Sequence, residues 1–249
     1  MIYVALPAHD ERHTAGVLIW RLREIFAALD RDFRVLALDD ASTDGTGEVL
    51  APYDRVAPLT ILRNETRIGY AASLERLIRA AVDSSDYHKR DGLLVMQSDF
   101  TDDPACVPEF VRRFQGGADL VAGARVDLSG ASRAARAVRL GARLVARPAG
   151  VPEGLRDPWC GFRLYRLIAL RRALSELGDG EPLMAEDGWA ANLQLLLRVA
   201  PYLRQWVETE VPYDSTRRYR TSRFHAWTEF RSLYRAARAA RRAPAVESA

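Results

Sequence analysis

The feature that most constrains this chain is the alternation of short apolar runs with stretches of helical periodicity. Residues 2–8 read as a strand, and 14–29 as an amphipathic helix with Val17, Leu18, Leu22, Ile25 and Phe26 on one face. The pattern repeats with strands at 33–38, 59–62, 92–96 and 119–123, and with helices at 44–52, 70–82 and 105–114. Strands separated by helices imply parallel crossover units, so the fold class is α/β with a Rossmann-like, mostly parallel sheet flanked by helices. Ligands in such sheets sit beyond the carboxyl ends of the strands, which is where chemistry is expected.

The second half is less regular. It reads as an Arg-rich helix over about 130–147, a Pro- and Gly-containing loop at 148–158, and helices at 165–176 and 187–199. A strand at 206–212 and a terminal helix at 224–242 complete it. Residues 1–223 are expected to form the main domain. Residues 224–249 form a basic amphipathic helix with a short tail, belonging to the same domain or lying at an interface.

Three acidic clusters follow successive strands. They are Pro7-Ala8-His9-Asp10-Glu11, Asp39-Asp40-Ala41-Ser42-Thr43-Asp44-Gly45-Thr46 and Gln97-Ser98-Asp99-Phe100-Thr101-Asp102-Asp103-Pro104. Singly, Asp39, Ser42, Asp44 and Asp102-Asp103 are ordinary turn and helix-start residues. Together they crowd like charges on one rim, which is costly unless a cation or hydrogen-bond donors compensate.

Charge and composition narrow the function classes. No apolar run reaches 18 residues, so no transmembrane helix is expected, and the first residues lack the basic leader of a signal peptide. Cys106 and Cys160 are too few for a disulfide framework, and with His9, His13, His88 and His225 they show no zinc-ligand spacing. These features point to the cytoplasm. Residues 1–216 hold 27 basic and 31 acidic side chains, whereas 217–242 hold nine Arg and one acid, Glu229. The net +3 thus conceals a basic tail suited to a local anionic partner. No aromatic platform or base-reading motif accompanies that tail, so nucleic acid is not the expected partner.

The motifs carry a resemblance. The first two clusters and Arg67-Ile68-Gly69-Tyr70-Ala71-Ala72-Ser73-Leu74 are similar to the successive signatures of family 2 glycosyltransferases with the GT-A fold. Gly123-Ala124-Arg125, Asp157-Pro158-Trp159-Cys160-Gly161-Phe162-Arg163-Leu164-Tyr165-Arg166 and Arg217 with Ser222-Arg223 resemble the polyprenyl-phosphate (dolichol-phosphate mannose synthase-like) branch. The resemblance covers about 2–235. It implies an inverting transfer of a sugar from a GDP- or UDP-sugar to a polyprenyl phosphate at the cytoplasmic membrane face.

The same resemblance assigns roles. Asp40 holds the nucleoside, with Pro7, His9, Glu11, Asp39, Gly69 and Ser98 around it. Asp99 matches the last acid of the Asp-x-Asp motif that places Mg²⁺ or Mn²⁺ on the diphosphate, and Gln97 stands where the first acid belongs. Asp102 or Asp103 are possible substitutes, and Thr101 replaces a Gln usual in the branch. Asp187 is the expected catalytic base, unless Glu186 and Asp187 merely favour a helix start. Arg125, Arg133, Arg136, Arg217, Ser222 and Arg223 are expected to clamp the acceptor phosphate, while Arg139, Arg143 and Arg147 read as solvated. Asp157, Trp159 and Gly161 belong to the sugar pocket, with core packing the alternative for Trp159. In the terminal helix, Trp227, Phe230, Leu233, Tyr234 and Ala237 recur at helical spacing beside Arg231, Arg235, Arg238, Arg241 and Arg242. That stripe either lies on anionic lipid or packs on the domain. Two other functions fit the residues: the same fold transferring to a hydroxyl of a saccharide, protein or metabolite with Asp187 as base, or a non-catalytic nucleotide-sugar-binding homologue.

Overall fold

The computed structural model describes residues 1–125, 133–146, 149–212 and 226–240. In chain order they form β1 (Ile2–Ala8), α1 (Ala15–Ala28), β2 (Phe33–Asp40), α2 (Thr46–Leu50), β3 (Leu59–Asn64), α3 (Tyr70–Asp83) and β4 (Gly92–Val95). There follow α4 (Val107–Gln115), β5 (Leu120–Ala124), α5 (Arg133–Ala146), β6 (Arg163–Arg166), α6 (Leu167–Ser175), α7 (Gly188–Val199), β7 (Trp206–Glu210) and α8 (Ala226–Ala240).

The seven strands make one sheet in the order β3-β2-β1-β4-β6-β5-β7. All neighbours are parallel except β6, which runs antiparallel between β4 and β5. The sheet is buried on both faces, so its inner strands are apolar along their whole length. Alternation divides the core. Tyr3, Ala5, Leu36 and Leu38 face α3, α6 and α7, packing on Leu74, Leu77, Leu170 and Leu196. Val4, Leu6, Val35 and Ala37 face α1 and α4, packing on Leu18, Leu22, Phe26 and Phe110.

One expected helix start moves. The sequence places a helix at 165–176, whereas Arg163–Arg166 is a strand and the helix begins at Leu167. Arg163 and Tyr165 point to one face and are fully buried, with Leu164 on the other. A buried Arg in a four-residue strand breaks the apolar signal by which strands are recognised.

Candidate active site

The loops after β1 and β2 are tied together by reciprocal polar contacts. The Asp10 amide donates to Ser42 Oγ at 3.0 Å, and the Thr43 amide returns a bond to Asp10 Oδ1 at 3.0 Å. Arg12 N–H reaches Asp44 Oδ2 at 3.0 Å, and Glu11 N–H reaches Thr46 Oγ1 at 2.8 Å. Burial raises the Asp44 carboxyl, but hydrogen bonds from Thr46 and from the Arg12 amide outweigh it and hold the group below its ordinary value. Asp10, Ala41 and Phe100, one in each loop after β1, β2 and β4, adopt positive φ (57°, 52° and 59°). Non-glycine residues are strained there, and such strain concentrates where loops are shaped for a task.

Strand alternation separates the two aspartates at the end of β2. Asp39 turns toward α2, where its Oδ1 accepts from the Ser42 amide at 3.0 Å. Its Oδ2 would lie 2.8 Å from a Cβ at Gly47 and faces Arg63 Nε at 3.5 Å. Asp40 turns toward α3, and its carboxylate accepts three bonds: from Asn64 Nδ2 at 2.7 Å and from the Ile68 and Gly69 amides at 2.9 Å each. Its carbonyl accepts from His9 Nδ1 at 2.8 Å. Across the rim, Ser98 Oγ donates to the Pro7 carbonyl at 2.9 Å, tying the end of β1 to the end of β4.

The start of α3 gathers a second carboxylate from far along the chain. Asp187 precedes α7, and its Oδ1 accepts the Ala71 amide at 2.9 Å. Its Oδ2 would lie 3.0 Å from a Cβ on Gly69, whose φ is +90°. The amides at this helix N-terminus are the kind that bind anions, and here they are divided between Asp40 and Asp187. Asp40, Gly69 and Asp187, three expected site residues from separate motifs, thus meet at one turn.

The loop after β4 is organised by Asp102. This buried carboxylate accepts from the Gln97 amide at 2.9 Å and pairs with the buried Arg125 guanidinium. Burial pushes Asp102 above the ordinary carboxyl range, with Arg125 pulling the other way. Arg125, expected to clamp an acceptor phosphate, is thereby drawn into the interior. Asp99 Oδ1 accepts from the Thr101 amide at 3.0 Å and from its hydroxyl. Among the described residues no group of three or more His, Cys, Asp or Glu forms a ready-made metal cage. A carboxylate at Asp99 and an amide oxygen at Gln97 are nevertheless hard donors of the type that suits Mg²⁺ or Mn²⁺, ions commonly held by one or two carboxylates with substrate phosphates.

Segment 157–163 is stitched to α7. Asp157 Oδ2 accepts the Arg125 amide at 3.1 Å. A Cβ on Gly161 would lie 2.9 Å from the Asn192 amide, so only glycine admits that side chain. Asn192 Nδ2 donates to the Trp159 carbonyl at 3.1 Å, and Arg163 donates to the Asn192 and Pro158 carbonyls at 2.7 and 2.6 Å. The Trp159 ring is 2% exposed and packs with Val138, Ala190, Leu193 and Leu233, so it is core rather than an open sugar platform. Burial pushes the neighbouring Cys160 thiol up to about 11, which makes it unreactive.

Sequence reasoning overlooked Tyr70, Asn192 and Arg163 as organisers of this region, because nothing local marks a polar residue that bonds to partners far along the chain. Arg133 and Arg136 are exposed on the first turns of α5. Arg217, Ser222 and Arg223 lie outside the described residues. In α8, Leu233, Ala236 and Ala237 are buried, while Trp227 (71% exposed) and Tyr234 (48%) face outward with Arg231, Arg235 and Arg238. No helix among the described residues is long and apolar enough to cross a membrane.

Comparison with known proteins agrees with this geometry. Residues 3–174 match the family profile described as glycosyl transferase family 2. A Pseudomonas aeruginosa undecaprenyl-phosphate 4-deoxy-4-formamido-L-arabinose transferase is 26% identical over 197 residues, 77% of this chain and 55% of that protein. An Edwardsiella ictaluri protein of the same name is 23% identical over 178 residues, 70% of this chain and 51% of the relative. The chain therefore spans about half the length of the curated relatives it matches. Glucosyl-3-phosphoglycerate synthase from Mycobacterium tuberculosis, solved with phosphoglyceric acid, superposes with a TM-score of 0.67 at 21% identity, covering 98% of this chain and 81% of that one. The same enzyme with Mn²⁺, UDP-glucose and phosphoglyceric acid gives 0.66 at 20% identity, covering 98% and 80%. At these identities the likeness concerns the fold, which is GT-A.

Proposed function

Because the chain belongs to glycosyl transferase family 2, we propose that it transfers a sugar, with inversion, from a nucleotide diphosphate to a polyprenyl phosphate. The observation that carries this reading is the meeting of Asp40, Gly69 and Asp187 at the start of α3, on the carboxyl-end rim of the sheet. The undecaprenyl-phosphate relatives support the acceptor class.

The chemistry divides along the rim. Asp40, held by Asn64 and the 68–69 amides, shapes the nucleoside side together with His9 and the Pro7–Ser98 link. Asp99 and Gln97 are the residues that would hold Mg²⁺ or Mn²⁺, which neutralises the departing diphosphate. A phosphate monoester has a second pKa near ~6, so the acceptor is already anionic at neutral pH and requires no base. Asp187 then acts by fixing the start of α3, and exposed Arg133 and Arg136 supply positive charge toward the acceptor. The outward stripe of α8 brings the enzyme to an anionic membrane face.

A second reading makes Asp187 a general base for a hydroxyl acceptor. It is favoured by the placement of its Oδ2 beside Gly69, at the same turn that binds Asp40. Asp187→Asn separates the two, since Asn preserves an acceptor for the Ala71 amide but cannot take a proton. Assayed with radiolabelled nucleotide-sugars, the variant keeps transfer to polyprenyl phosphate within about tenfold. A fall of about 10²–10⁴ with that acceptor, the size of a lost general base, overturns the claim that the phosphate acceptor requires no base; a parent that transfers only to a hydroxyl acceptor, and loses that transfer in the variant, favours the second reading.

A further inference from the structure

Asp187 stands at the N-cap position of α7, yet its side chain makes no cap for that helix. Its Oδ1 accepts the Ala71 amide at 2.9 Å instead, at the start of α3, whose own N-cap, Gly69, has no side chain to offer. An Asp in such a position ordinarily turns back onto the amides of the helix it begins. Something must hold this one outward.

The hold lies in the residues just before it. Segment 183–187 enters α7 without helix or strand of its own, so its amides need acceptors from elsewhere. The Leu183 amide donates to Glu75 Oε2 at 2.8 Å. The Ala185 and Glu186 amides both donate to Gln194 Oε1, at 3.0 and 2.8 Å. Two converging N–H groups identify that atom as the amide oxygen, which has two lone pairs to offer. Glu75 follows Ala71 by four residues on α3 and therefore lies on the same helix face, one turn further on. The segment thus meets α3 at two points, through Leu183 and through Asp187, while Gln194 pins the stretch between them to α7. The two oxygens of Glu75 have separate tasks, since Oε1 is taken by Arg79 Nε and Nη2 at 2.9 and 2.7 Å. Leu183 and Met184 are buried in the core on the α3 side of the sheet. Their burial sets the depth of the segment, and the polar bonds set its direction.

We infer that Glu75 and Gln194 are positioning residues that clamp segment 183–187 against α3 and so aim Asp187 at the 69–71 turn that also holds Asp40. The inference rests on the reading of that turn as part of the nucleotide-diphosphate site.

Glu75→Met keeps the length of the side chain and removes both acceptors. Calorimetry with Mn²⁺ and whichever of UDP or GDP the parent binds should show affinity falling about tenfold, the scale of one lost hydrogen bond. In an Asp187→Ala background the same substitution should cost less than about twofold, because the clamp acts through Asp187. An equal penalty in both backgrounds overturns the inference, since a merely structural role would be additive. Gln194→Glu, which keeps oxygens for both amides, should bind nearly as the parent does, whereas Gln194→Met should lose about as much as Glu75→Met. Equal loss in the two Gln194 variants contradicts the clamp. Arg79→Met strips only the exposed partner of Oε1 and should bind like the parent; a loss matching Glu75→Met would assign the effect to the ion pair instead. Exchange of the Ala71 amide with solvent, followed by NMR, reads the clamp without nucleotide. It should quicken in Glu75→Met and in Gln194→Met while the β1 and β2 amides stay protected, and unchanged exchange overturns the inference. If the parent binds neither nucleotide, the functional reading falls by itself, and the Ala71 amide still decides whether the clamp aims Asp187.

Discussion

The two sides of the strand rim are held together by opposite means. On the β1–β2 side, partly exposed side chains and backbone amides exchange many small bonds, as in Asp10 with Ser42 and Thr43, or Asp44 with Arg12 and Thr46. On the β4–β6 side a few fully buried polar groups do the holding: the Asp102–Arg125 pair, Arg163 and Asn192. The first arrangement distributes its stability, so that losing one bond costs little. The second concentrates it, because a buried charge stripped of its partner has no water to turn to.

The largest effect is expected where this contrast is sharpest. Asp102→Ala removes the carboxylate that pairs with the buried Arg125 guanidinium and should cost about 3–5 kcal/mol. At roughly 2–4 °C per kcal/mol for a chain of this size, thermal unfolding should fall by about 6–20 °C. Replacing both partners with apolar residues should cost less than either single change, and a larger loss in the double variant would show that the pair is not the source of the effect.

Gly69→Ala comes next. Its φ of +90° is unfavourable to any L side chain, and the new Cβ would meet Asp187 Oδ2 at 3.0 Å. Destabilisation of more than about 1 kcal/mol is expected, together with loss of nucleotide affinity, since the turn joining Asp40 to Asp187 must shift. Retained affinity would separate the turn from the binding site.

A smaller change tests the distributed side. Asp44→Ala removes an acceptor shared by three donors on the partly exposed β1–β2 rim and should cost about 1 kcal/mol. The parent carboxyl is held below its ordinary value, so its contribution is fully present above about pH 4 and disappears as pH falls through the lowered folded value. The stability gap between parent and variant should therefore narrow on acidification; a gap that widens would contradict the assignment.

The smallest effect on stability is expected in α8. Tyr234→Ala alters the outward stripe, so unfolding should change by less than about 0.5 kcal/mol. Co-sedimentation with phosphatidylglycerol vesicles should nevertheless fall, and in the parent it should weaken with salt. Equal sedimentation of variant and parent would remove the membrane role from this face.

The same contrast explains what could be read from the sequence. The parallel strands are buried on both faces and announce themselves as apolar runs. The rim loops carry acidic clusters visible in the sequence, and the family resemblance singled out Asp40, Gly69 and Asp187 individually. That they share one turn could not be read there, since Asp187 lies 116 residues beyond its partner Ala71. Arg163 was hidden for a related reason. A charged residue reads as surface by composition, and only its distant carbonyl partners make it a core residue. Trp159 was ambiguous because an indole serves equally well under a sugar or under a helix, and here α5, α7 and α8 close over it.

The central claim, that the rim around Asp40 and the start of α3 is a nucleotide-diphosphate site, is tested most directly by calorimetric titration of UDP and GDP, with Mn²⁺ and then with EDTA. The account predicts that one of the two nucleotides binds in the presence of Mn²⁺, that EDTA weakens it, and that Asp40→Asn abolishes it. Absence of binding by both nucleotides under both conditions would contradict it.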